Sequence, residues 1–322
     1  YFDIDIDKIK KNLESKNLEY VDGAKSIATS TRLTFASFFN LNPVTLDHKV
    51  FKNRPKILFP GPIDNSNLLK ILEINNYKFN WIGNDWLDCV NYNSEYCITN
   101  KNSLGEKFIG ISSQTYFINV FFQKTLIYKL YLKSRSFFEK TKSYDSDPSI
   151  HNFMYKNALR NFNYFYSKIN IPTHNNFYFI HNLAPHPPFI FDKECNYKET
   201  ETFINTETNF KLNGYRDNYI CAYKDLINFL NLVKKKDPKS NILIIGDHGW
   251  DLAKNNDENK KISSRYDIFL AKSLNSNCES EKNYLINLNY FKNLINCEFN
   301  TSLELNDKTQ YYEKNNKIFI VK

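Results

Sequence analysis

No run of about 18 or more uncharged apolar residues occurs in the 322-residue chain, so the sequence offers no segment of the kind that crosses a bilayer as a helix. A secretory leader is missing too, and the first residue is Tyr1 instead of Met. The chain therefore reads as processed, trimmed or fragmentary, which leaves room for an upstream anchor. Cysteine is sparse: the six present form no CxxC pair and no zinc-ligand spacing, which removes the sequence basis for a structural zinc module. Zinc-finger, RRM and helix-turn-helix patterns are also lacking. A nucleic-acid partner is accordingly excluded, despite a net charge of +8 that is dispersed and mostly lysine. No internal repeat emerges.

The length allows one large domain or two ordinary ones. An apolar fraction of 42%, with 16% aromatic residues, fits a globular core, whereas the Lys- and Asn-rich background reads as the codon bias of an AT-rich genome. Lys234-Lys235-Lys236 follows NFLNLV and reads as the solvated end of an amphipathic helix, where cations are favourable. A diffuse positive surface suits an anionic substrate or an anionic membrane face. Cys89 and Cys97 bracket the polar loop DCVNYNSEYC, which a disulfide could staple in an oxidising compartment; six unrelated buried thiols are the equal alternative.

Along the chain, helices and strands alternate. Ile6, Ile9 and Leu13 have helical spacing and lead into a short strand, Leu18 to Val21. A Ser/Thr-rich turn then precedes a helix through Leu33, Phe35, Phe38 and Phe39, with Ser30 or Thr31 near its start. Residues 65–85 contain a helix, an Asn-containing turn and a strand ending near Gly83; a strand at 177–181, a helix at 219–233 and a strand at 242–245 follow. That rhythm predicts one α/β domain, a sandwich with a mainly parallel sheet. Ile111 to Phe138 is unusually apolar and aromatic, with Lys124, Lys129, Lys133 and Arg135 in its second half. Its two readings are an interfacial helix with snorkelling lysines and a core helix with a wet edge. The region from Ser273 onward mixes polar turns and short apolar runs and shows no clear pattern.

Three stretches carry chemistry. In NILIIGDHGWD an apolar strand ends abruptly in Asp247-His248 between Gly246 and Gly249. A carboxylate and an imidazole beyond the carboxyl end of a parallel strand can reach one cation, although a DHG tripeptide alone is better explained by an ordinary turn. In His181-Asn-Leu-Ala-Pro-His186-Pro-Pro-Phe189, three prolines stiffen the backbone around His186, so this imidazole suits a phosphate oxygen or a leaving-group proton. His181, within the strand run, reads better as a structural histidine. Thr31 sits where a helix N-terminus presents positive dipole and unpaired N–H groups, an environment for a phosphoryl group; metal coordination would make its hydroxyl a nucleophile. An N-cap role is the alternative, one that Ser30 or Thr29 fills equally well.

The order of these signals is more specific than any one of them. A Thr-rich turn and helix, a strand followed by PHPPF, a helix, and an apolar strand ending in DHG together resemble the sulfatase-like branch of the alkaline phosphatase superfamily. More narrowly, they resemble the membrane-anchored hydrolases and transferases of bacterial envelopes related to phosphoethanolamine transferases and lipoteichoic acid synthases. STRLTFASFFN looks like the nucleophile turn, FYFIHNLAPHPPFIFD like the substrate-side histidine loop, IIGDHG like the metal motif and SRYDIFLAKS like the segment after it. The helix within 111–138 resembles an element lying against the membrane, and LNYFKNLINCEFN resembles the C-terminal helix.

The resemblance implies an alkaline-phosphatase-like α/β sandwich over residues 1–322, a single catalytic domain with helices on both faces of its sheet and without its first strand. It implies one divalent cation (zinc, manganese, magnesium or calcium) held by Asp247, His248 and Thr31. Thr31 is the implied nucleophile, His186, His181 and Arg265 the substrate contacts, and a lipid or glycan phosphodiester the substrate, at the periplasmic or extracytoplasmic face of the inner membrane, with membrane attachment through upstream helices. The C/S-x-P-x-R pattern of true sulfatases is missing from TRLTF, which favours phosphoryl transfer over sulfate-ester hydrolysis. The family also places an acidic metal ligand at the end of its first strand. Asp3 or Asp5 of YFDIDID would serve only if residues 1–6 are that strand, so the ligand is expected before residue 1 or not at all. A non-catalytic domain binding anionic envelope glycans is the rival expectation.

Overall fold

The computed structural model describes residues 4–44, 66–83, 97–98, 158–168, 174–186, 189, 191–196, 208–250, 262–275, 278, 284–306, 309–314 and 317–321. Six longer helices are found there: α1 (Ile6–Glu14), α2 (Thr31–Asn40), α3 (Asn67–Ile74), α4 (Ala158–Lys168), α5 (Thr208–Lys236) and α6 (Asn287–Phe299). The strands are β1 (Glu19–Tyr20), β2 (Lys78–Ile82), β3 (Cys97–Ile98), β4 (Asn176–Ile180), β5 (Ile242–Ile245), β6 (Leu270–Ser273), β7 (Gln310–Lys314) and β8 (Lys317–Val321). The expected interfacial helix at 111–138, the loop after it and Cys89 lie outside the described residues.

Local chemistry explains several boundaries. Asp5 accepts a hydrogen bond from Lys8 N–H at 3.0 Å and so is the N-cap of α1, which buries Ile9 and Leu13. Asp5 therefore does not end a strand. Ser66 caps α3 in the same way, accepting from Leu69 N–H at 3.3 Å. α5 begins earlier than the predicted 219–233 span, at Thr208. Near its start Gly214 lies against Phe189; an added Cβ would sit 2.5 Å from the Phe189 ring.

Strands β3, β2 and β4 form one parallel sheet, while β6 runs antiparallel between β1 and β5 in another. Side chains alternate across these strands, so the two faces acquire different partners. Phe79, Trp81, Phe177, Phe179, Leu243 and Ile245 pack with α2, α3 and α6. Ile82, Tyr178, Ile180 and Ile242 face the other way, onto Phe162 and Tyr166 of α4 and Phe229 and Val233 of α5. Ile244 joins the cluster of Ile9, Leu13 and Leu230, which seats α1 on α5. Helices thus cover both faces of the sheet strands, the α/β sandwich that the helix-strand rhythm implies.

Two disulfides hold the described chain: Cys195 to Cys221 and Cys278 to Cys297. No described helix is long and apolar enough to cross a membrane. LNYFKNLINCEFN, which resembles a C-terminal helix in sequence, forms α6, and the C-terminal residues that showed no pattern form the antiparallel β7–β8 hairpin.

Candidate functional site

β5 is an apolar strand that ends at Ile245, where Gly246 N–H donates to Phe269 O at 2.8 Å and the chain turns out of the sheet. Gly249 closes that turn, donating to Arg265 O at 2.7 Å. A Cβ on Gly249 would lie 2.2 Å from Ser264 O and 2.4 Å from Asp267 O, so backbone crowding admits only glycine there. Asp247 and His248 are thereby presented on a short, tightly packed turn beyond the carboxyl end of a strand.

α2 starts at Thr31, and its N-cap, Ser30, makes no side-chain cap hydrogen bond. The Thr31 hydroxyl instead lies 3.2 Å from His248 Nε2. His248 Nδ1 is 2.8 Å from Gly249 O; a carbonyl only accepts, so Nδ1 carries the proton and the Nε2 lone pair faces Thr31. Asp247 Oδ2 is 3.6 Å from the same Nε2. Burial pushes the Asp247 carboxyl up, but the His248 and His181 imidazoles, the Thr31 hydroxyl and the His248 backbone N–H outweigh it and hold the group below its usual range.

His181 follows β4 directly and donates its N–H to Ile82 O at 2.8 Å, which extends the parallel pairing by one bond. Its ring is buried edge-on to Phe35, with centroids 4.8 Å apart. Burial pushes its pKa down to about 4; the Asp247 charge opposes this, and His186 and His248 add to it. His181 is therefore neutral at physiological pH. His186 is exposed on the turn beyond β4, where its N–H donates to Leu183 O at 2.7 Å. Arg265 Nη1 points at Thr29 O from 3.5 Å, a long contact, so its segment borders the turn that leads into α2. The residues named from sequence, Thr31, His181, His186, Asp247, His248 and Arg265, thus come from four separate segments: the start of α2, the stretch after β4, the turn after β5 and the segment before β6.

Two groups of neighbours carried no signal in the sequence. Phe189, Tyr215 and Trp250 make an aromatic wall beside the turn, with Trp250 5.1 Å from Phe189 and 4.6 Å from Tyr215 between ring centroids. Burial, followed by the Asp247 charge, pushes the Tyr215 hydroxyl up to about 12. The second group is Ser26, Thr34 and Asn287, all fully buried. Ser26 and Thr34 both donate to the backbone carbonyl of Asp247, Thr34 at 3.0 Å.

The donors at this turn are a carboxylate, an imidazole nitrogen aimed by its partner carbonyl, and a hydroxyl. That chemistry fits a divalent cation. Among the described residues no group of three His, Cys, Asp or Glu converges; Asp247, His248 and the Thr31 oxygen are the described side chains that would be available to a cation there.

No protein-family model matches the chain, and no curated protein matches it. Among solved structures, the chain is similar to the C-terminal periplasmic domain of EcEptC from Escherichia coli. In complex with Zn, that domain aligns at 13% identity and a TM-score of 0.44 over 83% of this chain and 66% of the other. A second structure of the domain aligns at 13% identity and a TM-score of 0.47, over 96% of this chain and 84% of the other. The chain thus spans just under two thirds of the first of these neighbours.

Proposed function

We propose that the chain is the catalytic domain of a metal-dependent phosphoryl transferase or phosphodiesterase that acts on phosphodiester headgroups of envelope lipids or glycans. One observation carries this reading: the Thr31 hydroxyl, the Asp247 carboxylate and the His248 Nε2 lone pair meet at one point from opposite ends of the sequence. A nucleophile needs its oxygen oriented and its proton accepted: the Thr31 hydroxyl is hydrogen-bonded to the Asp247 carboxylate, whose second oxygen accepts the proton while the first is left for a cation. Asp247, His248 and Thr31 would hold the cation. When bound, that cation supplies Lewis-acid charge that lowers the hydroxyl pKa and offsets charge on the phosphoryl oxygens.

In this reading the Thr31 oxygen bonds to phosphorus as the bond from phosphorus to the leaving alcohol breaks, giving a phosphodiester of Thr31 that keeps the substrate's other ester group. An acceptor hydroxyl or water then takes the phosphoryl group and restores Thr31. His186, exposed on its proline-rich turn, delivers a proton to the leaving alkoxide or contacts the phosphoryl oxygens. Neutral His181 supports the site from beneath, and Arg265 offers positive charge at its border. The two disulfides suit an oxidising compartment outside the cytoplasm.

The test is to incubate the chain, with Zn²⁺ or Mn²⁺, with a nitrophenyl phosphodiester and to map any phosphorylated peptide by mass spectrometry. A phosphoryl adduct on Thr31 that retains the diester's second ester group, and its absence in Thr31→Ala, are expected. Metal-dependent turnover retained in full by Thr31→Ala would overturn the mechanism. A chain that binds anionic glycan but shows neither turnover nor metal uptake would instead be a non-catalytic binding domain.

A further inference from the structure

The candidate ligands are mounted on backbone, and what fixes that backbone is itself polar and buried. The carbonyl of Asp247 accepts hydrogen bonds from two hydroxyls, Ser26 and Thr34. Ser26 Oγ also lies 3.3 Å from Thr34 Oγ1 and accepts from Ala28 N–H at 3.3 Å. Asn287, at the first turn of α6, joins the two sides. Its Oδ1 accepts from Ile27 N–H at 2.9 Å, while its Nδ2 donates to Gly246 O at 3.3 Å and to Ser26 Oγ at 3.4 Å. Asn287 N–H donates to Lys25 O at 2.8 Å, which ties α6 to the same segment. Ser26, Thr34 and Asn287 are each 0% exposed, and polar groups are buried this deeply only when they are bonded.

We infer that Ser26, Thr34 and Asn287 form a clasp that positions the Asp247-His248 turn against Thr31 without touching substrate or metal. The geometry gives them this task. The Asp247 carbonyl belongs to the peptide plane that enters His248, so two donors on that oxygen set the direction in which the imidazole leaves the backbone. Thr34 lies three residues after Thr31 in α2, on the same helix face. One turn of helix therefore grips the loop's backbone through Thr34 and offers Thr31 to the loop's imidazole. Sites of this kind tolerate displacements of only about 0.5 Å. A clasp that loosens would spoil the site while every ligating atom remained present.

The clasp deepens the metal-dependent reading above, and two readouts on the intact 322-residue chain separate them. Thr34→Val removes the hydroxyl and keeps the shape; Thr34→Ser restores the donor. Asn287→Leu is the matching change on α6, and if it does not fold the Thr34 pair still decides. Zn²⁺ affinity is measured by calorimetric titration well below the melting temperature, and the His248 tautomer by nitrogen NMR of the metal-free protein. Thr34→Val is expected to weaken Zn²⁺ binding by about 10- to 100-fold and to lose the Nδ1–H signature of His248, with Thr34→Ser recovering both. A Thr34→Val protein that keeps wild-type Zn²⁺ affinity and the His248 signature would overturn the clasp, however far its melting temperature falls. A wild-type chain that takes up no Zn²⁺, but whose His248 signature is lost in Thr34→Val and returns in Thr34→Ser, would retire the metal-dependent reading and uphold the clasp.

Discussion

Thr31 and His248 stand 217 residues apart in sequence, and the Oγ1 of one lies 3.2 Å from the Nε2 of the other. Neither side chain reaches across a gap. Thr31 is placed by the start of α2 and His248 by the end of β5, two elements that share the core of Leu33, Phe35 and Ile245. The contact thus follows from packing the sheet against one helix, and the sheet end beyond β5 is where an α/β fold leaves room for a ligand.

Substitution at Thr31 separates chemistry from stability. Thr31→Ala is expected to lower phosphodiester turnover by on the order of 10³-fold, with little change in the urea midpoint, because the hydroxyl caps no helix. Thr31→Ser should keep part of the activity. A midpoint that falls in step with turnover in both variants would count against a nucleophilic role.

Gly249 tests the turn itself. Backbone carbonyls at 2.2 Å and 2.4 Å from an added Cβ cannot rotate away, so Gly249→Ala should destabilise the protein by roughly 2–4 kcal/mol. Gly246→Ala meets its nearest neighbour, Ile268 Cβ, only at 3.1 Å and should cost clearly less. Equal urea midpoints for the two variants would contradict this ordering.

Acid should weaken the metal-free fold through His181. Its pKa in the folded state, about 4, lies below the ordinary 6.5, so between those values the unfolded chain binds a proton that the folded chain refuses. Stability is complete above pH 6.5 and falls as pH drops toward 4, by about 3 kcal/mol at most. Asp247, held below its usual range, adds a loss in the same direction at still lower pH. His181→Phe, which keeps an aromatic ring against Phe35, should flatten the profile between pH 4 and 6.5. An unchanged slope in chemical denaturation would show that the imidazole is not the group responsible.

Reduction should also be costly. Cys278 and Cys297 are 19 residues apart and tie the segment before α6 to its last turns; Cys195 and Cys221 are 26 apart and tie the loop after β4 to α5. Each bridge contributes on the order of 3 kcal/mol by limiting the unfolded chain. Melting with and without reductant should show a drop that a Cys278→Ser/Cys297→Ser variant reproduces in part. A melting temperature indifferent to reductant would oppose the assignment.

Much of this architecture is legible in the sequence because burial writes periodic patterns. α2 and β5 read directly from their apolar residues, and α3 and β2 fall within the predicted helix, turn and strand. The abrupt halt of NILII at Gly-Asp-His-Gly marks the site, since Gly249 has no room for a side chain. Other features are invisible for equally physical reasons. Asn287 bonds to Ile27 across 260 residues, and no local pattern encodes a partner at that distance. The early turns of α5 hide because Gly214 and polar neighbours dilute the helical period. The two bridges escape notice because sequence spacing does not determine disulfide connectivity.

The central claim is that Thr31, Asp247 and His248 share one cation, and the most direct measurement is an anomalous difference map from crystals grown with Zn²⁺. The account predicts a peak about 2.0–2.2 Å from His248 Nε2, an Asp247 carboxylate oxygen and Thr31 Oγ1. Well-ordered Zn²⁺ bound elsewhere, with no density between these three side chains, would contradict it.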